Sequence, residues 1–221
     1  MKDSLVVNEI FGSIDGEGIR TGELATFIRL AGCNLRCRYC DTEYSLRATD
    51  GQEMTIDEIL IKIKKIGYRN ITLTGGEPLI HKNIEKLIDK LIQENYNVNI
   101  ETNGAIDISK YISKNLILTV DFKTRSSEMI KYMKKENISL LRENDVLKIV
   151  CNKDDFNDIE ELLKNNEIKS YIYLSPIFDE IEPYELVNFL KELHNKNIDT
   201  SKIRVQIQLH KIIWNPEERG V

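Results

Sequence analysis

Tryptophan occurs once in this 221-residue chain, histidine three times, and proline and cysteine four times each. Four cysteines in a chain of this length do not make the dense disulfide framework that staples small secreted domains. Hydrophobic runs are short. None approaches the ~18 apolar residues of a membrane helix, and no apolar signal stretch precedes the first polar break. Charge of one sign is nowhere concentrated: the formal net charge is −5, with Lys and Glu interspersed, so neither nucleic acid nor a membrane surface is expected as a partner. Reduced thiols without an export signal point to the cytoplasm.

What is present is the composition of a soluble α/β protein, and residues 1–221 are expected to form one domain. No long linker, repeat or low-complexity tract divides the chain. Strands are expected over Leu5–Ile10, Ala25–Leu30, Asn70–Thr74, Asn97–Glu101, Leu116–Asp121, Leu147–Cys151, Tyr171–Ser175 and Ile203–Gln208. Between them Thr55–Lys65 starts with a capping box, Thr55 and Glu58, and stops at Gly67. Ile84, Leu87, Ile88, Leu91 and Ile92 trace the stripe of a second helix, and Asp154–Asn165 and Pro183–Asn195 read alike. Such alternation argues for a parallel sheet with helices outside, which binds ligands at the carboxyl ends of its strands. The polar and glycine-rich segments do follow strands. They are Ala31-Gly32-Cys33, Thr74-Gly75-Gly76-Glu77-Pro78, Glu101-Thr102-Asn103-Gly104 and Asp121-Phe122-Lys123.

The chemistry is concentrated in Cys33-x3-Cys37-x2-Cys40. A [4Fe–4S] cluster normally takes four cysteine ligands, so three leave one iron open to a small molecule. A structural zinc site is the other reading of these thiols. It would need distant Cys151, His81, His194 or His210 as its fourth ligand, and no second paired motif is present. On that reading the chain is a zinc-stabilised binding module, not an enzyme. The glycines of Gly75-Gly76-Glu77-Pro78 would let a backbone approach a ligand closely, with a carboxylate beside them able to hold an ammonium.

Together these motifs resemble the radical S-adenosylmethionine (SAM) superfamily. The resemblance implies that Cys33, Cys37 and Cys40 hold a [4Fe–4S] cluster whose fourth iron is chelated by SAM. It places Tyr39 near the adenine and Gly75, Gly76 and Glu77 at the methionine amino group. Asp41, Asp121, Phe122 and Lys123 are counted with the cofactor contacts. A narrower resemblance runs through Glu9–Gly18, Phe27–Cys33, Cys40-Asp41-Thr42, Gly75–Pro78, Glu101–Gly104 and Gln206–Lys211, and is to the 7-carboxy-7-deazaguanine synthases. It implies a shortened, modified (β/α) partial barrel of the radical SAM type, usually homodimeric, reduced by an electron donor such as flavodoxin. The activity implied is conversion of 6-carboxy-5,6,7,8-tetrahydropterin to 7-carboxy-7-deazaguanine. A SAM-derived radical takes hydrogen from C6, the ring contracts and ammonia leaves.

By the same resemblance the pterin would meet Ile14, Asp15, Gly16, Glu17, Arg29, Thr74, His210 and Val221. Glu17 would face a guanidine-like edge and Arg29 a carboxylate. Thr42 would ligate a Mg2+ that bridges to the substrate, a role a single hydroxyl can fill because Mg2+ keeps waters and substrate oxygens. Two positions depart from the family pattern. Asp15 stands where members commonly carry Gln, and Asp121-Phe122-Lys123 stands where many have Ser-Pro-Lys. A competing resemblance is to glycyl-radical-enzyme activases, whose Asp-Gly-Pro-Gly-Ile-Arg signature differs from Asp15-Gly16-Glu17-Gly18-Ile19-Arg20 only at Glu17. Cys151 reads as a buried thiol.

Overall fold

The structure, a computed structural model, describes residues 3–221, so the first two residues of the expected 1–221 domain lie outside it. A nine-stranded sheet forms its frame. Its strands are β1 (Ser4–Ile14), β2 (Leu24–Leu30), β3 (Gln52–Thr55), β4 (Asn70–Gly75), β5 (Asn97–Thr102), β6 (Ile117–Asp121), β7 (Val146–Cys151), β8 (Tyr171–Pro176) and β9 (Ile203–Val205). Their spatial order is β3-β1-β2-β4-β5-β6-β7-β8-β9. β1 runs antiparallel to both β2 and β3, and every later pair is parallel. The expected parallel α/β architecture is present, with an antiparallel margin.

Helices α1 (Ile56–Ile66), α2 (Ile84–Gln93), α3 (Glu136–Leu140), α4 (Phe156–Asn165), α5 (Pro183–Asn195) and α6 (His210–Ile213) lie between or after the strands. α1 begins as expected: Thr55 accepts from the Glu58 amide, and the Glu58 carboxylate accepts from the Thr55 amide. It ends at Gly67, which takes the left-handed conformation (φ 84°) that glycine adopts without steric cost. The side chains of the central strands alternate between two environments. Leu73, Ile100, Leu118, Ile149 and Leu174 join the helix residues Ile63, Leu87, Ile159 and Leu193 in one apolar core. The intervening residues Thr72, Asn99, Glu101, Thr119 and Lys148 are polar, and they furnish the opposite face.

Several boundaries differ from expectation. β1 continues to Ile14, which pairs with Leu24. β3, the short run Gln-Glu-Met-Thr with Met54 as its one apolar residue, has no alternating pattern to reveal it and is a strand because the edge of β1 is there to pair with it. The last strand ends at Val205 and not at Gln208. The Gln206 side chain donates to the Gly18 carbonyl (3.2 Å) and Thr21 Oγ1 (2.7 Å), and accepts from the Gly18 amide (2.7 Å), which draws the chain off the sheet. α3 and α6 are too short for a periodic pattern to reveal.

One buried acid anchors the crossover from β6 to β7. Asp145 accepts from the Leu118 amide (2.9 Å), the Arg142 amide (2.8 Å) and the Arg142 guanidinium (2.8 Å). Arg142 in turn donates to the carbonyls of Ile112, Lys114 and Leu116. Asp145→Ala leaves both a cation and a buried amide without their acceptor. It is expected to cost roughly 3 kcal/mol, read as a lower denaturant midpoint at unchanged slope.

Candidate active site

The loop after β2 and the loop after β4 are clasped main chain to main chain. The Gly76 amide donates to the Leu30 carbonyl (2.9 Å) and the Glu77 amide to the Gly32 carbonyl (2.8 Å). The Gly32 and Cys33 amides donate onward to Ser45 (2.8 Å) and Leu46 (3.0 Å). No side chain fits between them: a Cβ on Gly75 would lie 2.1 Å from the Leu30 carbonyl oxygen, and one on Gly76 2.1 Å from that of Gly32. The two glycines are therefore required first by the protein's own backbone.

Glu77 is placed differently from its expected role. Its carboxylate is fully buried outside the cavity, accepting from the Leu79 amide (2.9 Å), Thr102 Oγ1 (2.8 Å) and the Asn103 amide (2.6 Å). Burial pushes its pKa up to about 7 in spite of those donors. Glu77 thus ties β4 to β5 behind the loop, and only the backbone of Gly75 and Gly76 reaches the cavity.

That cavity, about 570 Å³, opens where the four polar segments meet, and Cys33, Cys37 and Cys40 line it. All three are free thiols. Cys33 Sγ accepts from the Leu35 amide (3.4 Å) and Asn103 Nδ2 (3.7 Å). Burial raises the Cys33 pKa and pushes that of Cys37 up to about 11. Three thiols on one wall, facing open space beside a clasped backbone, fit a [4Fe–4S] cluster with one open iron. Of the residues that could close a zinc site with them, Cys151 is buried in β7, where desolvation drives its thiol pKa upward, and His81 and His194 do not border the cavity, whereas His210 does.

The polar face of the sheet supplies the remaining walls. Arg29, opposite Glu9 across the antiparallel pair, is bonded to it through Nε (2.6 Å). Lys148 of β7 meets Glu17 (2.6 Å), Lys123 meets Asp121 (2.6 Å) and Lys211 stands 3.7 Å from Asp41. Each of these four cations lines the cavity already paired. Burial works against the charges on Lys123 and Lys148, but the neighbouring acids hold both pKa values above the ordinary range. Burial likewise opposes the Asp41 charge, yet Lys211, Lys148, Arg29 and Lys123 together lower its pKa.

Most of the expected site residues border this space: Tyr39, Asp41, Thr42, Gly75, Gly76, Asp121, Lys123, Ile14, Gly16, Glu17, Arg29, Thr74, His210 and Val221. Tyr39 donates to the Val150 carbonyl (3.1 Å), and Lys123 Nζ lies 5.7 Å from its ring centroid. Thr42 Oγ1 is 3.8 Å from Cys40 Sγ. The segment after β9 packs on the loop after β1. Leu209 donates to the Gly16 carbonyl (3.1 Å), and a Cβ on Gly16 would come within 2.5 Å of His210 Nδ1.

Two further residues belong elsewhere. Asp15 is buried outside the cavity, paired with Arg20 (2.8 Å) and accepting from Thr72 Oγ1 (2.7 Å). Its acid group holds the loop to β4 and does not face a ligand. Phe122 turns into the apolar core, because it follows Asp121 on the opposite side of the chain. Glu101 and Asn103, from the polar segment expected at this rim, line the cavity, and so do Thr119 and Lys148, which were not expected there. Their signal was in the strands: polar residues at alternate positions of a parallel sheet, where both faces are usually apolar.

This fold, with three thiols and a double-glycine clasp at its carboxyl rim, defines a radical SAM protein, and the sequence model of the Radical SAM superfamily matches residues 27–199. The chain is 42% identical to the 7-carboxy-7-deazaguanine synthase of Clostridium acetobutylicum over 97% of its own length and 98% of that protein. It is 33% identical to the one from Leptospira interrogans, with 97% of each chain covered. It thus belongs to the radical SAM superfamily and, within it, to the family of 7-carboxy-7-deazaguanine synthases. Among solved structures, that of QueE from Escherichia coli shares the fold with a TM-score of 0.73 at 24% identity, covering 94% of this chain and 95% of that one. Streptococcus suis SuiB gives 0.56 at 15% identity over 80% of this chain and 47% of that one.

Replacing any of Cys33, Cys37 or Cys40 by Ala should abolish cluster binding, whereas Cys151→Ala should leave it intact. Gly76→Ala removes no ligand, yet the backbone contact it breaks should also lower cluster content. Iron and sulfide analysis of anaerobically reconstituted protein reads all five variants, and a Gly76→Ala protein with full iron would show that the clasp does not set the cluster loop.

Proposed function

We propose that this chain converts 6-carboxy-5,6,7,8-tetrahydropterin to 7-carboxy-7-deazaguanine with loss of ammonia, residues 1–221 acting as a single domain. The observation that carries the reading is the near full-length identity to 7-carboxy-7-deazaguanine synthases in a chain whose three free thiols share a cavity with paired charges. Relatives of that name also weigh against the activase reading of the Asp15–Arg20 stretch, in which Asp15 and Arg20 form a buried ion pair.

When bound, the cluster and SAM supply reductive cleavage of the sulfonium and a radical able to take hydrogen from the substrate. The chain's own residues hold and shield. Cys33, Cys37 and Cys40 would hold the cluster, while the Gly75 and Gly76 backbone, Tyr39, Asp41, Asp121 and Lys123 would border SAM. Arg29, its Nε turned to Glu9, keeps its terminal nitrogens for a substrate carboxylate, and Glu17 faces a guanidine-like edge. Phe11 and Phe27, stacked with centroids 5.1 Å apart, add a flat apolar wall beside them. The segment 216–221 borders the remaining side, so a ligand there is shielded from water.

Thr42 would hold a Mg2+ ion, which would supply positive charge to a substrate carboxylate. Its support is the place of the hydroxyl, on the cavity wall beside Cys40 and Asp41. The working form would be a cytoplasmic homodimer reduced by a flavodoxin-type carrier, and light scattering of the purified protein reads its oligomeric state.

Reduced protein with SAM and Mg2+ should yield 7-carboxy-7-deazaguanine from the tetrahydropterin, detected by mass spectrometry. SAM cleavage without that product, together with a glycyl radical raised on an added partner enzyme, would transfer the chain to the activases. Thr42→Val deletes one oxygen at nearly constant volume. It should keep the cluster and slow turnover while removing most of the Mg2+ dependence; unchanged stimulation by Mg2+ would remove Thr42 from the metal site.

A further inference from the structure

The outer side of the cluster loop carries a charge opposite to that of the whole chain. Resting on the radical SAM reading, we propose that this face, formed by residues 34–38 and 125–135, is where a small acidic one-electron carrier protein docks to reduce the cluster.

The two segments are joined directly. The Arg38 amide donates to the Ser127 carbonyl (3.2 Å), Arg38 Nε to the Ser126 carbonyl (2.9 Å) and the Arg36 amide to Met129 Sδ (3.5 Å). The further end of the second segment is held near the same thiols, since the Lys134 amide donates to Gly104 (3.1 Å) and neighbouring Asn103 reaches Cys33. Residues 34–38 and 125–135 contain six cations, Arg36, Arg38, Arg125, Lys131, Lys134 and Lys135, and one acid, Glu128, with exposed Glu136 next in the chain, whereas the chain as a whole carries −5. Three of the cations have carboxylate partners: Arg38 with Glu180, Arg125 with Asp158 and Lys134 with Asp107. Arg36, Lys131 and Lys135 are exposed and have no ion pair among the described residues. The aromatic ring of Tyr132, 49% exposed, lies under Lys131 Nζ at 5.1 Å.

Position gives the patch its meaning. On the inner side the thiols face the cavity that SAM and substrate would fill, so a carrier is confined to the outer side. Cys37 is half-buried in the cluster loop, between exposed Arg36 and Arg38. Electron-transfer complexes are small and short-lived, and fields of opposite sign set their encounter rate. Exposed cations without ion-pair partners, one of them over an exposed aromatic, in a segment bonded to the cluster loop fit that kind of contact.

The test compares two reductants on the reconstituted holoenzyme, with SAM cleavage as readout. The double variant Lys131→Glu/Lys135→Glu touches no thiol and no cavity residue. With dithionite it should cleave SAM at the wild-type rate. With reduced flavodoxin as the probe, its rate at low flavodoxin should fall by roughly tenfold or more, and the wild-type rate should drop with added salt. Lys131→Gln/Lys135→Gln should lie between, and Lys191→Glu on α5 should match wild type with both reductants. A charge-reversed protein that keeps its dithionite rate and also its full flavodoxin rate overturns the proposal. Wild-type protein that cleaves no SAM with dithionite overturns the radical SAM reading itself, a separate outcome.

Discussion

Two main-chain hydrogen bonds, Gly76 to Leu30 and Glu77 to Gly32, fix the distance between the loop that bears the thiols and the loop that faces them. The tolerance is set by hard contact, not by side-chain chemistry, because a single methyl on Gly75 or Gly76 would overlap a carbonyl oxygen. Everything further out is hung on this clasp. Glu77 locks it from behind to Thr102 and Asn103, Asn103 reaches forward to Cys33, and Ser45 and Leu46 close the loop on its other side. The cluster loop has no regular secondary structure of its own between β2 and β3 beyond two short 3-10 turns, so its geometry comes from these neighbours.

The sheet explains why so much polarity can surround this centre without harming the fold. Residues at successive positions of a strand face opposite ways. β4 to β7 put Leu73, Ile100, Leu118 and Ile149 against the helices, and Thr74, Glu101, Thr119 and Lys148 toward the cavity. Stability and chemistry therefore reside on different faces of the same strands. Substitution on one face changes packing, and on the other changes the walls seen by a ligand.

Eight of the nine strands, four main helices and the rim they build were legible in the sequence because each rests on local signals: β-rich runs, a capping box, apolar stripes, and glycine after a strand. The thiol spacing was legible for the same reason. The misplacements share another origin. Glu77 and Asp15 sit in motifs whose polar groups were expected to meet ligands, but each has protein donors waiting in tertiary space: Thr102 and Asn103 for Glu77, Arg20 and Thr72 for Asp15. Burial and partner geometry are non-local and cannot be counted from spacing. Phe122 could have been assigned by alternation alone, since Asp121 before it and Lys123 after it both face the cavity. Lys148 was equally accessible to that argument.

The ion pairs around the cavity carry a consequence for ligand choice. Arg29, Lys123, Lys148 and Lys211 each stand beside a carboxylate before anything binds, so the wall is a chain of nearly neutral units. A ligand with a single charge that engages Lys123, Lys148 or Lys211 competes with the carboxylate already there, and a displaced group is left in a poorly hydrated space. A molecule with both signs can exchange partners at two points at once and leave no group alone. Selection then acts on the separation of opposite charges within the ligand as well as on its total charge.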